Sequence, residues 1–169
     1  MRTIYALCLI GAIAIAGCGS SSGDSSSASG GSGGKQVSVA EEGAATVVSA
    51  KKVGDLGMVL VDPEGRTLYG FQNDKHSLYS AFSSACYGPC AEDWPPLLTN
   101  GEPQAEKGAF PTKTSTLERK DGTLQVTYYG HPLYTYAGDK KSGEANGNDV
   151  KAFGGEWYAL DPGGIELED

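Results

Sequence analysis

The sequence lacks most of the motifs on which common enzyme chemistries depend. Outside a Ser/Gly-rich stretch at residues 19–34 it has no G-x-S-x-G nucleophile turn, and nowhere an H-E-x-x-H zinc motif or a dinucleotide-binding glycine pattern. Only two histidines occur among the 169 residues. A Ser-x-x-Lys run at residues 49–52 stands without the companion motifs of its enzyme class. These absences argue against an enzyme.

Basic residues and long apolar runs are also scarce. Thirteen Lys or Arg residues stand against twenty-one Asp or Glu, for a net charge of −8 at pH 7. No basic patch is concentrated enough to neutralise phosphates, which argues against a nucleic-acid partner. The apolar run at residues 4–16 is shorter than the roughly 20 residues that cross a hydrocarbon core. A membrane protein with several spans is therefore excluded.

The N-terminus reads as an export signal. A short basic start precedes the apolar run, and Ile-Ala-Gly-Cys follows at residues 15–18. This order resembles the lipobox of bacterial lipoproteins, in which the signal peptide is cut before a cysteine that receives a diacylglycerol. The resemblance implies a signal peptide at residues 1–17 and a lipid on Cys18. An ordinary secretory signal with an incidental cysteine is the alternative.

The stretch after Cys18 has the composition of a tether. Residues 19–34 hold fourteen Ser or Gly among sixteen positions, so they cannot bury enough apolar surface to fold. We expect residues 18–44 to link a lipid to a folded domain. The expected location is the exported side of a bacterial cell envelope, with the membrane as a partner through the lipid.

Two cysteines remain in the exported domain. Cys86 and Cys90 make an even number in an oxidising compartment, and Gly88 and Pro89 supply a turn between them. We expect a structural disulfide. A redox pair is the alternative, although the spacing is not C-x-x-C, and a thiolate metal site would need more ligands than two cysteines.

The chain repeats itself once. Residues 57–74 align without a gap on residues 122–139, and the identical pairs are Gly57/Gly122, Val61/Val126, Gly65/Gly130, Leu68/Leu133, Tyr69/Tyr134 and Asp74/Asp139. A tryptophan segment, around Trp94 or Trp157, follows each copy. We place the repeats at about residues 57–97 and 122–160, as a tandem duplication rather than a solenoid, which needs at least three units.

Each repeat predicts a β-hairpin. In the first, strands at residues 58–61 and 67–71 flank a turn whose Pro and Gly positions suit type I. In the second, residues 124–128 and 133–136 flank Gly130. Further strands are expected at residues 46–48 and 157–160, and short helices at residues 78–84 and 91–94. The predicted fold is mainly β, with two hairpin units packed in one small domain at residues 45–162 and an acidic tail at residues 163–169.

Both repeats carry the motif Y-x-(F/W/Y)-x-x-D, formed by Tyr69, Phe71 and Asp74, and by Tyr134, Tyr136 and Asp139. With these motifs and the tryptophan segments, residues 57–160 resemble the bacterial secreted-repeat lipoproteins named for the motif. The resemblance implies lipoprotein export and a two-unit organisation. That family has no settled biochemical function, so it supplies no catalytic residues.

The polar motif residues support two interpretations. Asp74 and Asp139 follow aromatic strands, where a carboxylate accepts backbone N–H bonds and fixes a turn. Alternatively, a Ca²⁺ ion could be held by an oxygen-rich loop comprising Asp139, Glu144, Asn146, Asn148 and Asp149. This is not the EF-hand order. His131 lies before Pro132 and is expected to be a turn residue, with a metal or haem ligand as the alternative.

The aromatic residues are expected to form the core, because aromatics dominate burial in small β domains. Some of them could instead line an exposed platform for a sugar, a peptide or a flat cofactor. We therefore expect a lipid-anchored, non-enzymatic binding or structural module with no cofactor, which engages an envelope protein, a glycan or a small molecule. The alternative is a metal-binding or redox-linked envelope lipoprotein associated with Ca²⁺, copper or haem. An envelope hydrolase using paired carboxylates such as Glu92 and Asp93 is a third class.

Overall fold

The computed structural model describes residues 45–75 and 82–168. The expected signal peptide, Cys18, the tether and His76 lie outside these residues. Within them the chain is mainly β, as predicted. The elements in chain order are β1 (Val47–Val53), β2 (Gly57–Val61), β3 (Tyr69–Phe71), α1 (Pro89–Asp93), β4 (Gln104–Ala105), a 3-10 turn (Pro111–Lys113), β5 (Thr114–Glu118), β6 (Leu124–Tyr128), β7 (His131–Pro132), β8 (Val150–Ala152) and β9 (Gly155–Ala159).

The described strands form three small sheets in the orders β2-β1-β4, β3-β9-β8 and β5-β6-β7. The first sheet contains the antiparallel hairpin β1–β2, and the third contains the antiparallel hairpin β5–β6. A short loop closes each hairpin. The predicted early strand at residues 46–48 is thus the start of β1. Its counterpart β5 was not predicted, because its Thr and Ser residues give little hydrophobic alternation.

The ungapped alignment of the repeats is wrong by one residue before the turn. Leu60 accepts a backbone hydrogen bond from Leu68, whereas the equivalent bond of the second repeat joins Leu133 to Val126. Leu60 therefore corresponds to Val126, and not to Gln125. The reason lies in the turns, since the first repeat uses three central residues after Asp62, and the second uses two after Tyr128.

The tryptophan segment of each repeat packs on the hairpin of the other repeat. β9 of the second repeat pairs with β3, so that Tyr69 faces Ala159. In the same way Pro96 of the first repeat pairs with Tyr134. The backbones of Tyr69 and Tyr134 also bond to each other in both directions, at 2.9 and 3.0 Å. The two repeats are therefore interlocked by a reciprocal exchange, with a pseudo-twofold axis between Tyr69 and Tyr134.

The core is shared by both repeats, as the duplication predicted. An aliphatic cluster joins leucines of the first hairpin to the second hairpin, and its members include Leu60, Leu68, Leu97, Val126, Leu133 and Leu160. An aromatic cluster joins both motifs and both tryptophan segments, and its members include Tyr69, Phe71, Trp94, Tyr134 and Trp157. Neither repeat carries a complete cluster of its own, so each depends on the other for burial.

The return strands expected at residues 67–71 and 133–136 are wrong in part, because β3 starts at Tyr69 and pairs with β9, and β7 spans only His131–Pro132. The expected helices differ as well. The helix expected at residues 91–94 begins earlier, at Pro89, a residue suited to the first helical turn. Residues 78–81 of the other expected helix, at residues 78–84, lie outside the described residues, and Ser83 instead forms an extended bridge with Lys75. The C-terminal acidic segment folds back, where Leu167 N–H bonds to the Ala159 carbonyl. Across residues 45–75 and 82–168, no helix has the length and apolar character needed to cross a bilayer.

Candidate functional site

The tyrosine of each motif bonds to the aspartate of the other motif. The hydroxyl of Tyr69 donates to Asp139 Oδ2 at 2.6 Å. The hydroxyl of Tyr134 lies 2.8 Å from Asp74 Oδ2. All four side chains are buried, and both tyrosines are fully so. The two copies of the motif therefore complete each other across the pseudo-twofold axis.

The second oxygen of each aspartate anchors a loop. Asp139 Oδ1 accepts the backbone N–H of Asn146 at 2.9 Å, and Asp74 Oδ1 accepts that of Ala85 at 2.7 Å. Each carboxylate thus holds a loop end with one oxygen and a tyrosine of the other repeat with the other oxygen. Bonds to an ionised acceptor are among the stronger hydrogen bonds in proteins, so these four contacts fix both loops to the core.

The aromatic residues of the motifs and tryptophan segments form one stack of four rings. Trp94 and Trp157 lie face to face at the centre, with ring centroids 4.0 Å apart and an interplanar angle of 4°. Phe71 stacks on Trp157 at 4.1 Å, and Tyr136 stacks on Trp94 at 4.2 Å. Successive rings in the stack come from alternate repeats. The stack therefore forms only because each tryptophan segment packs on the opposite repeat. Because Trp94 and Trp157 are buried, the stack centre belongs to the core and offers no exposed platform.

A buried arginine adds a polar network to one side of the core. Arg119 donates to Ser84 Oγ at 2.9 Å, to Gln125 Oε1 at 2.6 Å and to the Cys86 carbonyl at 2.8 Å. Ser84 Oγ lies in turn 2.8 Å from the Tyr134 hydroxyl. The guanidinium therefore connects the segment around Cys86 to the second repeat. The equivalent position of the first repeat is Val53, so this network exists on one side only.

Burial governs the ionisation of the paired tyrosines. Loss of solvation raises the pKa of Tyr69, and the hydrogen bond to Asp139 and its negative charge raise it further. Burial likewise raises the pKa of Tyr134, together with the charge of Asp74. Both hydroxyls stay protonated at physiological pH and act as hydrogen-bond donors.

The predicted disulfide is confirmed. Cys86 and Cys90 are joined, with Cα atoms 5.2 Å apart. Cys86 is fully buried within the aromatic cluster, and Cys90 is a buried residue of helix α1. The bridge thereby holds the start of the first tryptophan segment, which carries Trp94 into the second repeat.

Oxygen atoms of four of the five residues in the predicted cation loop accept hydrogen bonds from protein donors. Asp139 binds Tyr69 and Asn146, as described above. Glu144 Oε2 accepts the backbone N–H groups of Lys140 and Lys141, at 2.6 and 3.1 Å. Asn148 Oδ1 accepts from the Ala159 N–H, while its amide nitrogen donates to Asp149.

His131 begins β7 opposite Tyr128 instead of lying in the turn, and its Nδ1 stands 3.9 Å from Glu166 Oε1. Within the part of the chain that the structure describes, no three His, Cys, Asp or Glu side chains are grouped as metal ligands. The metal-binding alternative stays a prediction from the sequence.

Sequence reasoning missed the buried polar residues Arg119, Gln125 and Ser84. Gln125 is fully buried, and its amide nitrogen donates to the Leu133 carbonyl at 2.8 Å. The alternation of the strand at residues 124–128 assigns Gln125, with Thr127, to a polar and exposed face, so the pattern predicts neither its burial nor the arginine that pairs with it.

The structure therefore defines a class of protein: a small β domain of two interlocked repeats, stabilised by exchanged tyrosine–aspartate pairs. The sequence matches the family described as a secreted repeat of unknown function at residues 51–98 and 115–161. These matches cover more than half of the chain, so the protein belongs to this family of secreted repeats. The family that the sequence resembles is thereby confirmed, and the protein is an exported one.

The two matched segments coincide with the two interlocked units of the fold. No curated protein and no solved structure matches the chain.

Proposed function

We propose that this protein is a lipid-anchored cell-envelope domain that acts as a non-enzymatic binding or structural module. The proposed anchor is a lipid on Cys18, supported by the lipobox order of residues 15–18 and the Ser/Gly-rich stretch that follows. The membership of a secreted family is consistent with export. The domain at residues 45–168 would be presented at the membrane surface by this tether.

The observation that supports a non-enzymatic role is the reciprocal pairing of Tyr69 with Asp139 and of Tyr134 with Asp74. A catalytic acid, base or nucleophile must reach a substrate. The motif carboxylates are buried and already hold tyrosine hydroxyls and loop N–H groups, while the raised pKa values of both tyrosines keep phenolate nucleophiles from forming near neutral pH. The recurrent residues of the repeat therefore serve to build a rigid support, and exposed residues are left to carry recognition.

The anchor is tested by expressing Cys18→Ala in a bacterial host and separating membranes from soluble fractions. The membrane-bound wild type should incorporate a labelled fatty acid, whereas Cys18→Ala should incorporate none. Cys8→Ala provides the matched control, because Cys8 lies in the expected signal peptide and its loss should leave anchoring unchanged. Fatty-acid labelling of Cys18→Ala at the wild-type level would contradict the lipid anchor.

A further inference from the structure

The two copies of the motif share a buried tyrosine and a buried aspartate, and they differ in chemical character at the two positions before the aspartate. After the aromatic residue, the first copy has Gln72 and Asn73, which are exposed amides, and the second has Ala137 and Gly138. The backbones are equivalent, since Gln72 N–H bonds to the Glu156 carbonyl as Ala137 N–H bonds to that of Asp93. Gln72 Oε1 also accepts the backbone N–H of Glu156 at 3.3 Å, a contact that Ala137 cannot make. Its Nε2 group and the amide of Asn73 have no counterpart in the second copy.

The amides of the first copy face a hairpin tip that presents an aromatic ring. β8 and β9 are joined by Phe153 and Gly154, both with positive φ, 55° and 82°, the pattern of a type I′ turn. The first position of this turn favours Asn, Asp or Gly, and a bulky aromatic residue there is strained. Phe153 is also 45% exposed. The position thus combines an unfavourable backbone with an exposed apolar ring, a combination that clusters at ligand-binding sites.

A second aromatic residue in the same kind of turn provides a contrast. Tyr129 also has a positive φ, 49°, and precedes Gly130 in the β6–β7 turn. Tyr129 is 40% exposed, close to the value for Phe153, but its ring has close neighbours on this surface. Lys113 Nζ lies 4.6 Å from the ring centroid, and a Cβ on Gly164 would meet the ring at 2.6 Å. The contacts of the Tyr129 ring with Lys113 and Gly164 explain an aromatic residue in that turn. Phe153 instead lines an open cavity.

That cavity has a volume of about 470 Å³ and is lined by Gln72 and by residues 151–156 of the β8–β9 hairpin. Its size lies in the range of small-molecule sites. Asn73 lies beside it, over a glycine pair, because a Cβ at Gly155 would stand only 2.8 Å from Asn73 Nδ2. Gly154 and Gly155, which have no side chains, therefore allow the Asn73 amide to approach the hairpin closely beside Phe153.

The carboxylate of Glu156, which lines the cavity, is held in place by a lysine and a tyrosine. Glu156 Oε1 lies 3.3 Å from Lys151 Nζ. A hydrogen bond from Tyr158 lowers the pKa of Glu156, with Lys151 contributing, and the same bond raises the pKa of Tyr158 to about 12. Glu156 is thus an oriented acceptor that stays ionised near neutral pH.

We propose that the β8–β9 hairpin and the Gln72–Asn73 pair form a saccharide-binding site. The apolar face of a pyranose ring would lie on Phe153, while its hydroxyls bond to the two amides, Glu156 and Lys151. An open aromatic surface with planar amides and one fixed carboxylate matches the two sides of a sugar, one apolar and one rich in hydroxyls. A strongly charged ligand would meet both signs here, Lys151 and Glu156, so a neutral sugar fits better. The inference rests on the proposed role as a binding module and specifies its ligand class.

The test uses the lipidated full chain in a detergent that carries no sugar. Saturation-transfer NMR titrations are run with trisaccharides of glucose, mannose and N-acetylglucosamine at millimolar concentration. At least one should bind, with the strongest transfer to ring protons on one face of the sugar. Phe153→Asn should weaken binding about tenfold or more, since the loss of aromatic contact is of that order. Asn73→Ala should weaken it by a smaller factor.

Two controls separate a binding role from a structural one. Phe153→Asn introduces a residue that the turn favours, so its melting temperature should equal or exceed that of the wild type. Tyr129→Ala removes the packed aromatic residue of the other turn and should leave sugar affinity unchanged. The proposal is overturned if none of the three sugars binds, if Phe153→Asn binds normally, or if that variant melts at a lower temperature. These results are independent of fatty-acid labelling, which tests the anchor alone.

Discussion

The hydroxyl of Tyr69 donates a 2.6 Å hydrogen bond to Asp139, a residue of the other repeat. Asp74, the aspartate of the same motif as Tyr69, instead lies 2.8 Å from the hydroxyl of Tyr134. Tyr69 and Asp74 belong to one copy of the motif, five positions apart, and each forms a side-chain hydrogen bond with the second copy. The spacing of the motif is set by this exchange, because the tyrosine must reach across the axis while the aspartate closes its own loop.

A double-mutant cycle should reveal which residues are coupled. Tyr69→Phe leaves the buried Asp139 carboxylate short of one donor, and we expect it to lower the free energy of unfolding by about 1–3 kcal/mol. Combined with Asp139→Asn, the effects should be strongly non-additive. Combined with Asp74→Asn, from the same motif copy, they should be closer to additive. Urea unfolding measures all five variants, and equal coupling in both cycles would contradict the exchange.

The sequence sufficed for the strands at residues 58–61 and 124–128, because turn residues and alternating apolar positions are local signals. It did not suffice for their partners, since β3 pairs with β9, and β7, which pairs with β6, ends at Pro132. It did suffice for the disulfide, which spans only four positions. The exchange was not predictable in the same way. Tyr69 and Asp139 are seventy positions apart, and two identical motifs give no local sign of whether each is complete in itself or completed by the other.

The one-residue error in the repeat alignment has a similar cause. Gly65 and Gly130 both have a positive φ, at 79° and 85°, and a sequence comparison pairs them readily. They belong to turns of different length, however, so the strand before each turn is displaced by one residue. A shift of one residue moves a side chain to the opposite face of a strand, and only the hydrogen-bond register reveals it.

The stack of rings leaves no space beside Gly147. A Cβ at this position would stand 2.8 Å from Trp94 Cη2 and 2.8 Å from Tyr69 Cζ, both in rigid rings. We expect Gly147→Ala to destabilise the protein by about 1–3 kcal/mol through overpacking. Gly101→Ala is the matched control, because Gly101 has open space around its Cβ position and neither glycine has a positive φ. Thermal melting of both variants decides the matter, and equal melting temperatures would refute the packing argument.

Stability should fall steeply in alkaline solution. The pKa values of Tyr69 and Tyr134 are raised in the folded protein, whereas in the unfolded chain they should be about 10. Above that pH the unfolded chain releases from each of these two tyrosines a proton that the folded chain retains, so the stability that each provides below about pH 10 is lost at about 1.4 kcal/mol per pH unit. Tyr158, whose pKa is raised to about 12, acts in the same direction.

Urea unfolding between pH 9 and pH 11 measures this slope, and absorbance follows tyrosine ionisation. In Tyr69→Phe the slope should fall by the share of one tyrosine. Full ionisation of every tyrosine in the still-folded protein would contradict the burial of the pairs.

The interlocked repeats should fold only together. Each half lacks the tryptophan segment that completes its hairpin, and the contact between Trp94 and Trp157 exists only across the two halves. A protease site inserted between Lys107 and Gly108, in an exposed turn that follows β4, would allow the folded chain to be cut and the pieces separated in denaturant. Neither piece should then melt cooperatively, because each alone buries too little apolar surface. An equimolar mixture should regain cooperative melting and the near-ultraviolet circular dichroism of the stacked tryptophans. Cooperative folding of either isolated piece would mean that the repeat is self-sufficient, and that exchange merely joins two finished units.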